Sequence, residues 1–298
     1  MTPQSFETLA TLLRNGSGLV IGPDKLYLLE TRLAPMLRTH KLADLDALAS
    51  KIRGGATTLE REIVEAMTTN ESSFFRDEKP FAHVRTQALP RLQTTRPPGA
   101  KLRIWSAAAS TGQEAYSLAM ILAEHRATMG TREVEIVGTD IAREPLARAR
   151  EGLYTQFEVQ RGLPVTMLVK YFKKDGGNWR IADQIRAMAS FREWNLLGDL
   201  RPLGTFDLVF CRNVLIYFDP PTKARALEAI AKQMAPDGLL FLGGAETVLG
   251  VTDRFVPLAG DRGVYTLAGA PGAASLSVPM APGMATRPLA GAALRSSL

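Results

Sequence analysis

The chain has 298 residues, a formal net charge of +6, 46% hydrophobic residues and 22% charged residues, proportions that fit a globular protein of one large domain or two unequal ones. No run approaches the roughly 18 apolar residues that cross a bilayer, and the start, MTPQSFETLA, lacks the basic-then-apolar layout of a secretory leader, so no membrane insertion and a cytoplasmic location are expected. One cysteine, Cys211, and three scattered histidines, His40, His83 and His125, argue against an internal disulfide framework and a structural metal.

Residues 1–85 read as a helical domain. Leucine, isoleucine, valine and methionine recur at three- and four-residue spacings in FETLATLLRN and LYLLETRLAPMLRTHKLADLDALASKI. Gly16, Gly18, Gly22 and Pro23 interrupt the first two helices, and GGATT at 54–58 precedes another, with Thr57 or Thr58 as its expected cap. Residues 86–100, ending in PRLQTTRPPGA, read as a linker. The stretch 76–103 is basic: Arg76, Lys79, Arg85, Arg91, Arg96, Lys101 and Arg103 face only Asp77 and Glu78. Such a run is either a solvated connector or a surface that attracts an acidic partner.

From 101 to 270 the pattern changes to short apolar runs between helical segments. Strands are expected at 102–108, 134–140, 206–213 and 238–244, and helices near 113–126, 143–151 and 221–235. This order predicts an α/β domain with a doubly wound, mostly parallel sheet covered on both faces. GVYTLAG adds an edge or antiparallel strand, and 171–190 reads as a small β-subdomain turned at Asp175–Asn178. The Ala-, Gly-, Pro- and Ser-rich stretch 271–298 is expected to be a disordered tail.

Ligands of doubly wound sheets collect at the carboxyl ends of the strands. At those ends lie ASTGQE with Glu114, then Asp140, then Asn195 with Leu196, and RNVLIYF at 212–218. Each also has a plainer role open to it. Glu114 complements a helix N-terminus, Asp140 caps the helix that follows, Asn195 serves a turn, and Cys211 is a small buried hydrophobe. The first turn lacks a G-x-G-x-x-G fingerprint, and an acidic side chain at its helix start disfavours a pyrophosphate. A ligand carrying an ammonium and a sulfonium fits better, and S-adenosylmethionine has both.

NESSFFRD (70–77), RIWSAAASTGQEAYSLAM (103–120), GTDI (138–141), NLL (195–197) and FCRNVLIYFD (210–219) together resemble the CheR family. These are the S-adenosylmethionine-dependent glutamate methyltransferases of bacterial chemotaxis receptors, and the likeness runs from about residue 10 to 268. It implies an N-terminal helical domain followed by a class I, Rossmann-like methyltransferase domain. By motif it implies that Asn70, Ser72 and Arg76 meet the cofactor from the interdomain segment. Glu114 then serves the methionine moiety or its surroundings, Asp140 the ribose, Asn195 and Leu196 the adenine end, and Arg212 and Asn213 the region of the sulfonium. Tyr217 is similar to a family tyrosine at the methyl transfer site. Ser72 stands where the family has Thr, Gln113 where it has an acid, and Ala115 where it has proline.

The implied reaction gives a glutamate methyl ester and S-adenosylhomocysteine. A glutamate side chain, with a reference pKa near 4.3, is ionised at pH 7, so direct displacement needs no general base. Arg76 and Tyr217 are then expected to orient the substrate carboxylate or shape the pocket, without acting as acid or base. Arg32 and Arg38, with Lys25 and Lys41, lie on the helical stretch that in the family faces the receptor's acidic methylation helices, unless they are simply solvated charges. The short turn KKDGGNW points to independence from a receptor C-terminal pentapeptide. A nucleic-acid methyltransferase is disfavoured: aromatic residues do not interleave with the basic ones, and DPP at 219–221 does not make an N/D-P-P-Y/F segment. No nucleic-acid partner is therefore expected. The absent glycine fingerprint disfavours a nicotinamide dehydrogenase, and the intact Asn70, Arg76, Asp140 and Asn213 set disfavours a non-catalytic module.

Overall fold

The computed structural model describes residues 1–130 and 132–270; the tail expected at 271–298 lies outside the described residues. Four helices open the chain: α1 (Pro3–Ser17), α2 (Leu26–Thr39), α3 (Leu45–Arg53) and α4 (Thr57–Met67). Thr2 caps α1 by accepting from Ser5 N–H, Pro3 stands in its first turn, and Gly18 ends it in the left-handed region at φ 78°. Asp44 caps α3. At α4 the expected threonine cap is not used: Thr57 is already helical, and Ala56 precedes it without a side-chain bond. Leu9, Leu13, Leu29, Leu33, Leu48 and Ile63, one stripe from each helix, are fully buried together.

The expected linker at 86–100 is mostly helix. Helix α5 (Lys79–His83) continues through a π turn (Val84–Ala88) into α6 (Leu89–Thr95). Pro90, whose missing N–H looks like a helix breaker, sits in the first turn of α6, where that loss is tolerated. Phe81, Val84, Ala88, Leu89 and Leu92 are buried with Ile104 and Phe210 of the second domain, so this run packs on the sheet. Arg96 fastens its end, donating through Nε to Asp207 (2.8 Å) and through both terminal nitrogens to Asp237 (2.8 and 2.6 Å). The Arg96 guanidinium holds the Asp237 carboxyl below the usual carboxylate range. The basic residues of this stretch thus include at least one whose role is internal.

The second domain is built on β1 (Leu102–Ala107), β2 (Val134–Asp140), β3 (Leu153–Thr155), β4 (Phe172–Asp175), β5 (Asn178–Ile181), β6 (Ala189–Glu193), β7 (Phe206–Cys211), β8 (Met234–Leu242), β9 (Phe255–Pro257) and β10 (Val264–Leu267). Seven strands form one sheet in the order β6-β2-β1-β7-β8-β10-β9, in which only β10 runs against the rest, so that its pairings with β8 and β9 are antiparallel and all others parallel. Every residue of β7 is buried, as a central strand covered on both faces requires. Helices α7 (Gln113–Glu124), α8 (Arg126–Met129) and α9 (Arg143–Glu151) follow β1 and β2. The short α10 (Gln156–Gln160), α11 (Val165–Tyr171) and α12 (Asp183–Arg186) surround the small sheet, and α13 (Pro220–Ala231) joins β7 to β8. Strand β1 pairs with β2 on one side and β7 on the other, so the chain reverses its winding between β1 and β7. That switch point opens the crevice in which ligands of such sheets bind.

The small sheet has the order β3-β5-β4 and differs from the expected 171–190 unit at both ends. Its third strand comes from Leu153–Thr155, upstream, and Ala189–Glu193 leaves it to form the edge of the large sheet beside β2. Within β6 only Phe191 is buried, so the one-sided pattern of an edge strand read as a continuation of the hairpin.

Candidate active site in the interdomain cleft

The turn after β1 solves a geometric problem with little glycine. Ala108, Ser110 and Gly112 alternate in the left-handed region, at φ 58°, 51° and 89°. Only the last is glycine, and a Cβ there would lie 2.9 Å from Ala149 and 3.0 Å from Phe191. Ser110, in this region without being glycine, is held by its neighbours. Ser110 N–H donates to Asp140 Oδ2 (2.8 Å), and Ser110 Oγ donates to the Asn70 carbonyl (2.8 Å). The interdomain segment is thereby pinned to the loop.

Asp140 ends β2. Its second oxygen accepts from Ala142 N–H (2.9 Å), so it does brace the start of α9 while also lining the cleft. Burial pushes its carboxyl above the usual range, opposed by the backbone N–H donors. No cation pairs with it among the described residues; what faces it is the backbone N–H of Ser110, Ala142 and Ile141.

Glu114 is not an open anion. Ser106 Oγ donates to one oxygen (2.7 Å) and Arg212 to the other (3.0 Å). The Arg212 side chain, 2% exposed, also donates to Asp77 (2.6 Å) and to the Arg76 carbonyl (2.8 Å). The charge of Glu114 is thus matched within the protein while the residue still lines the cleft. What the pair leaves over is Arg212 Nε, a buried donor in the cleft wall without a partner.

The other expected residues divide as follows. Asn70, Ser72 and Arg76 line the cleft from the interdomain segment, with Phe75 N–H anchored on Ser117 Oγ (3.0 Å). Arg76 donates only to the Glu71 carbonyl (3.2 Å) and forms no ion pair among the described residues. Asn195 and Leu196 line it too, but the Asn195 amide donates to the Gly16 carbonyl (2.7 Å) and accepts from Leu197 N–H (2.9 Å). Its turn and interdomain roles therefore occupy the side chain. Asn213 and Tyr217 complete the wall. Cys211 is fully buried behind it.

Arg32 and Arg38 lie outside the cleft. Arg32 donates to the Met67 (2.6 Å) and Thr68 (3.1 Å) carbonyls and to Thr69 Oγ1 (3.0 Å), closing the end of α4 just before Asn70. The expectation of Arg32 as a free docking cation is corrected: its guanidinium is an internal clasp. Arg38 is exposed and unpaired among the described residues. Sequence reasoning missed Ser17 and Leu19 at the end of α1, which also wall the cleft with Trp194 and Phe218. Gly18 between them was the available signal, since a Cβ there would lie 2.8 Å from Phe218.

These groups fit S-adenosylmethionine. Asp140 offers acceptors to ribose hydroxyls, Leu19, Ile141, Leu196 and Trp194 give an apolar face for an aromatic base, and Ala108 and Ser110 let a ligand approach the backbone. A mixed sheet with a cleft of this composition at its switch point defines an S-adenosylmethionine-dependent methyltransferase of class I fold. Residues 4–68 match the model of the CheR methyltransferase all-alpha domain, and 70–264 match that of the CheR methyltransferase SAM binding domain. The two matched regions meet at residue 69, where Arg32 clasps the end of α4. A chemotaxis protein methyltransferase 1 of Pseudomonas aeruginosa is 39% identical, covering 84% of this chain and 92% of its own. A Vibrio parahaemolyticus chemotaxis protein methyltransferase is 37% identical, covering 86% of this chain and 93% of its own. The chain belongs to the CheR methyltransferase family.

Proposed function

We propose that the protein methylates glutamate side chains on the cytoplasmic methylation helices of chemoreceptors, by direct displacement and without a general base. The observation that carries this reading is the state of the cleft's own acids. Glu114 is paired with Arg212, Asp140 is bound by backbone N–H groups, and the exposed Glu71 is paired with Arg161, which lowers its pKa. No histidine lines the cleft among the described residues. Arg76, with only a backbone partner, is the cation left to orient an incoming carboxylate, beside Tyr217.

When bound, the cofactor supplies a methyl group on a sulfonium, and transfer to a carboxylate turns two opposite charges into neutral products. A site that held both charges tightly would favour the ground state. The protein's contributions are therefore alignment and exclusion of water, which the two-domain wall supplies. Incubation with radiolabelled cofactor and receptor membranes tests this: label on the receptor that alkali releases is expected, and base-stable label overturns an ester.

Arg38→Glu in the same assay is expected to slow receptor methylation several-fold while S-adenosylhomocysteine affinity stays unchanged, because Arg38 is exposed and far from the cleft wall. An unchanged rate removes α2 from the docking face. The hairpin β4–β5 turns through only Gly176 and Gly177, which supports independence from a receptor C-terminal pentapeptide. Calorimetric titration with such a peptide is expected to show no binding, and micromolar affinity would refute this.

A further inference from the structure

One carboxylate outside the cleft gathers an unusual number of backbone donors. Glu246, in the loop after β8, accepts from Asn213 N–H (2.8 Å) and Gly243 N–H (2.7 Å) on Oε2, and from Val214 N–H (3.0 Å) and Ile216 N–H (3.3 Å) on Oε1. Three of these four donors belong to the segment that carries Asn213 and Tyr217 into the cleft. That segment has no regular ladder to hold it: it leaves β7 with Asn213 in the left-handed region at φ 58° and passes through one short 3-10 turn at Leu215–Tyr217. A left-handed asparagine persists only where its surroundings over-determine it. At its start the over-determination comes from one anion facing a concave row of N–H groups, the geometry of an anion-binding nest with the anion supplied by the chain itself, while Val20 N–H on the Tyr217 carbonyl (3.1 Å) holds its far end. Gly243 fits the same arrangement, since a Cβ there would lie 2.7 Å from Glu246 Oε2 and 2.8 Å from the Asn213 amide.

We infer that Glu246 is a positioning residue for methyl transfer: its carboxylate fixes the 213–217 segment so that Asn213 and Tyr217 meet the reacting carboxylate in register, although Glu246 itself does not line the cleft. The inference rests on the proposed placement of Tyr217 at the substrate end of the cleft. The remaining cofactor-facing groups are held independently, Arg212 by Glu114 and Asp77, and Asp140 by Ser110 and Ala142. Loss of the brace therefore affects alignment more than cofactor binding.

Glu246→Gln separates the two. Its amide nitrogen confronts two N–H donors with a third donor, so half the brace is lost without a change in size. Misplacement of reacting groups by about 1 Å costs about 100-fold, so kcat for receptor methylation is expected to fall by that order while the Kd for S-adenosylhomocysteine changes less than about threefold. Amide hydrogen exchange of the 213–216 peptide, measured with no receptor present, is expected to speed up in the variant. Glu246→Asp, which keeps the charge but is one methylene shorter, is expected to be intermediate in both readouts and carries the test if E246Q does not fold. Unchanged exchange, unchanged kcat, or a loss of cofactor affinity in step with kcat overturns the inference. A wild-type protein that methylates no receptor defeats the substrate reading instead, while the exchange measurement still decides the brace.

Discussion

Glu114→Ala is expected to destabilise the protein by about 3 kcal/mol, because it leaves the guanidinium of Arg212 buried with one partner fewer. The two side chains are 2% and 13% exposed, so water does not replace the lost carboxylate. The surviving partner, Asp77, is half exposed and compensates in part. For a chain of this size such a loss lowers the thermal midpoint by roughly 6–10 °C, which differential scanning calorimetry reads directly. Glu114→Gln, which keeps an acceptor for Ser106, is expected to lose less than Glu114→Ala. A cost below about 1 kcal/mol for the alanine variant would mean that Asp77 alone neutralises Arg212, and that Glu114 is free to serve a ligand.

Asp140→Ala is expected to weaken cofactor binding by about 2–3 kcal/mol, the range for losing hydrogen bonds to a charged acceptor. Equilibrium dialysis or calorimetry with S-adenosylhomocysteine measures it, and unaltered affinity removes Asp140 from the site. The pH dependence gives an independent check. Burial raises the Asp140 pKa in the folded protein, so the folded state takes up this proton more readily than the unfolded chain. The favourable contribution of protonation to stability is complete below the unfolded pKa and is lost as pH rises through the folded pKa. At neutral pH the ionised carboxylate is therefore present at some cost to folding, and its gain is in the acceptors it offers. Cofactor affinity should fall on acidification in a window that begins above the ordinary aspartate range near 3.9, and Asp140→Ala should lack that acid limb.

The elements that the sequence marks most plainly are those whose ends are local. The run VEIVGTD and the structure agree on 134–140, and the helix expected at 143–151 has those bounds, because an apolar strand stopping at an acid followed by a helical period is a short-range signal. The stretch 86–95 reads as a linker because Pro90 and the following TTRPPG carry breaker composition, whereas what keeps it helical is burial of Leu89 and Leu92 and the reach of Arg96 to Asp207 and Asp237, far along the chain. Site residues show the same division. Motif order gathered Asn70 through Tyr217 around one cleft, yet it did not reveal how they are occupied. The Glu114–Arg212 pair spans 98 positions, and the Arg32 clasp is set by where the end of α4 lies. Spacing along a helix can place a cation on a face without showing that the face is already taken.

The end of α1 is stitched to the catalytic wall by the Asn195 amide on the Gly16 carbonyl and by Val20 N–H on the Tyr217 carbonyl (3.1 Å). Helical bundle and sheet domain therefore both wall the cleft, Ser17, Leu19 and Met67 from the one and Asp140, Asn213 and Tyr217 from the other. By thermodynamic reciprocity, a ligand that touches both walls and the docking of the bundle on the sheet strengthen one another by the same factor.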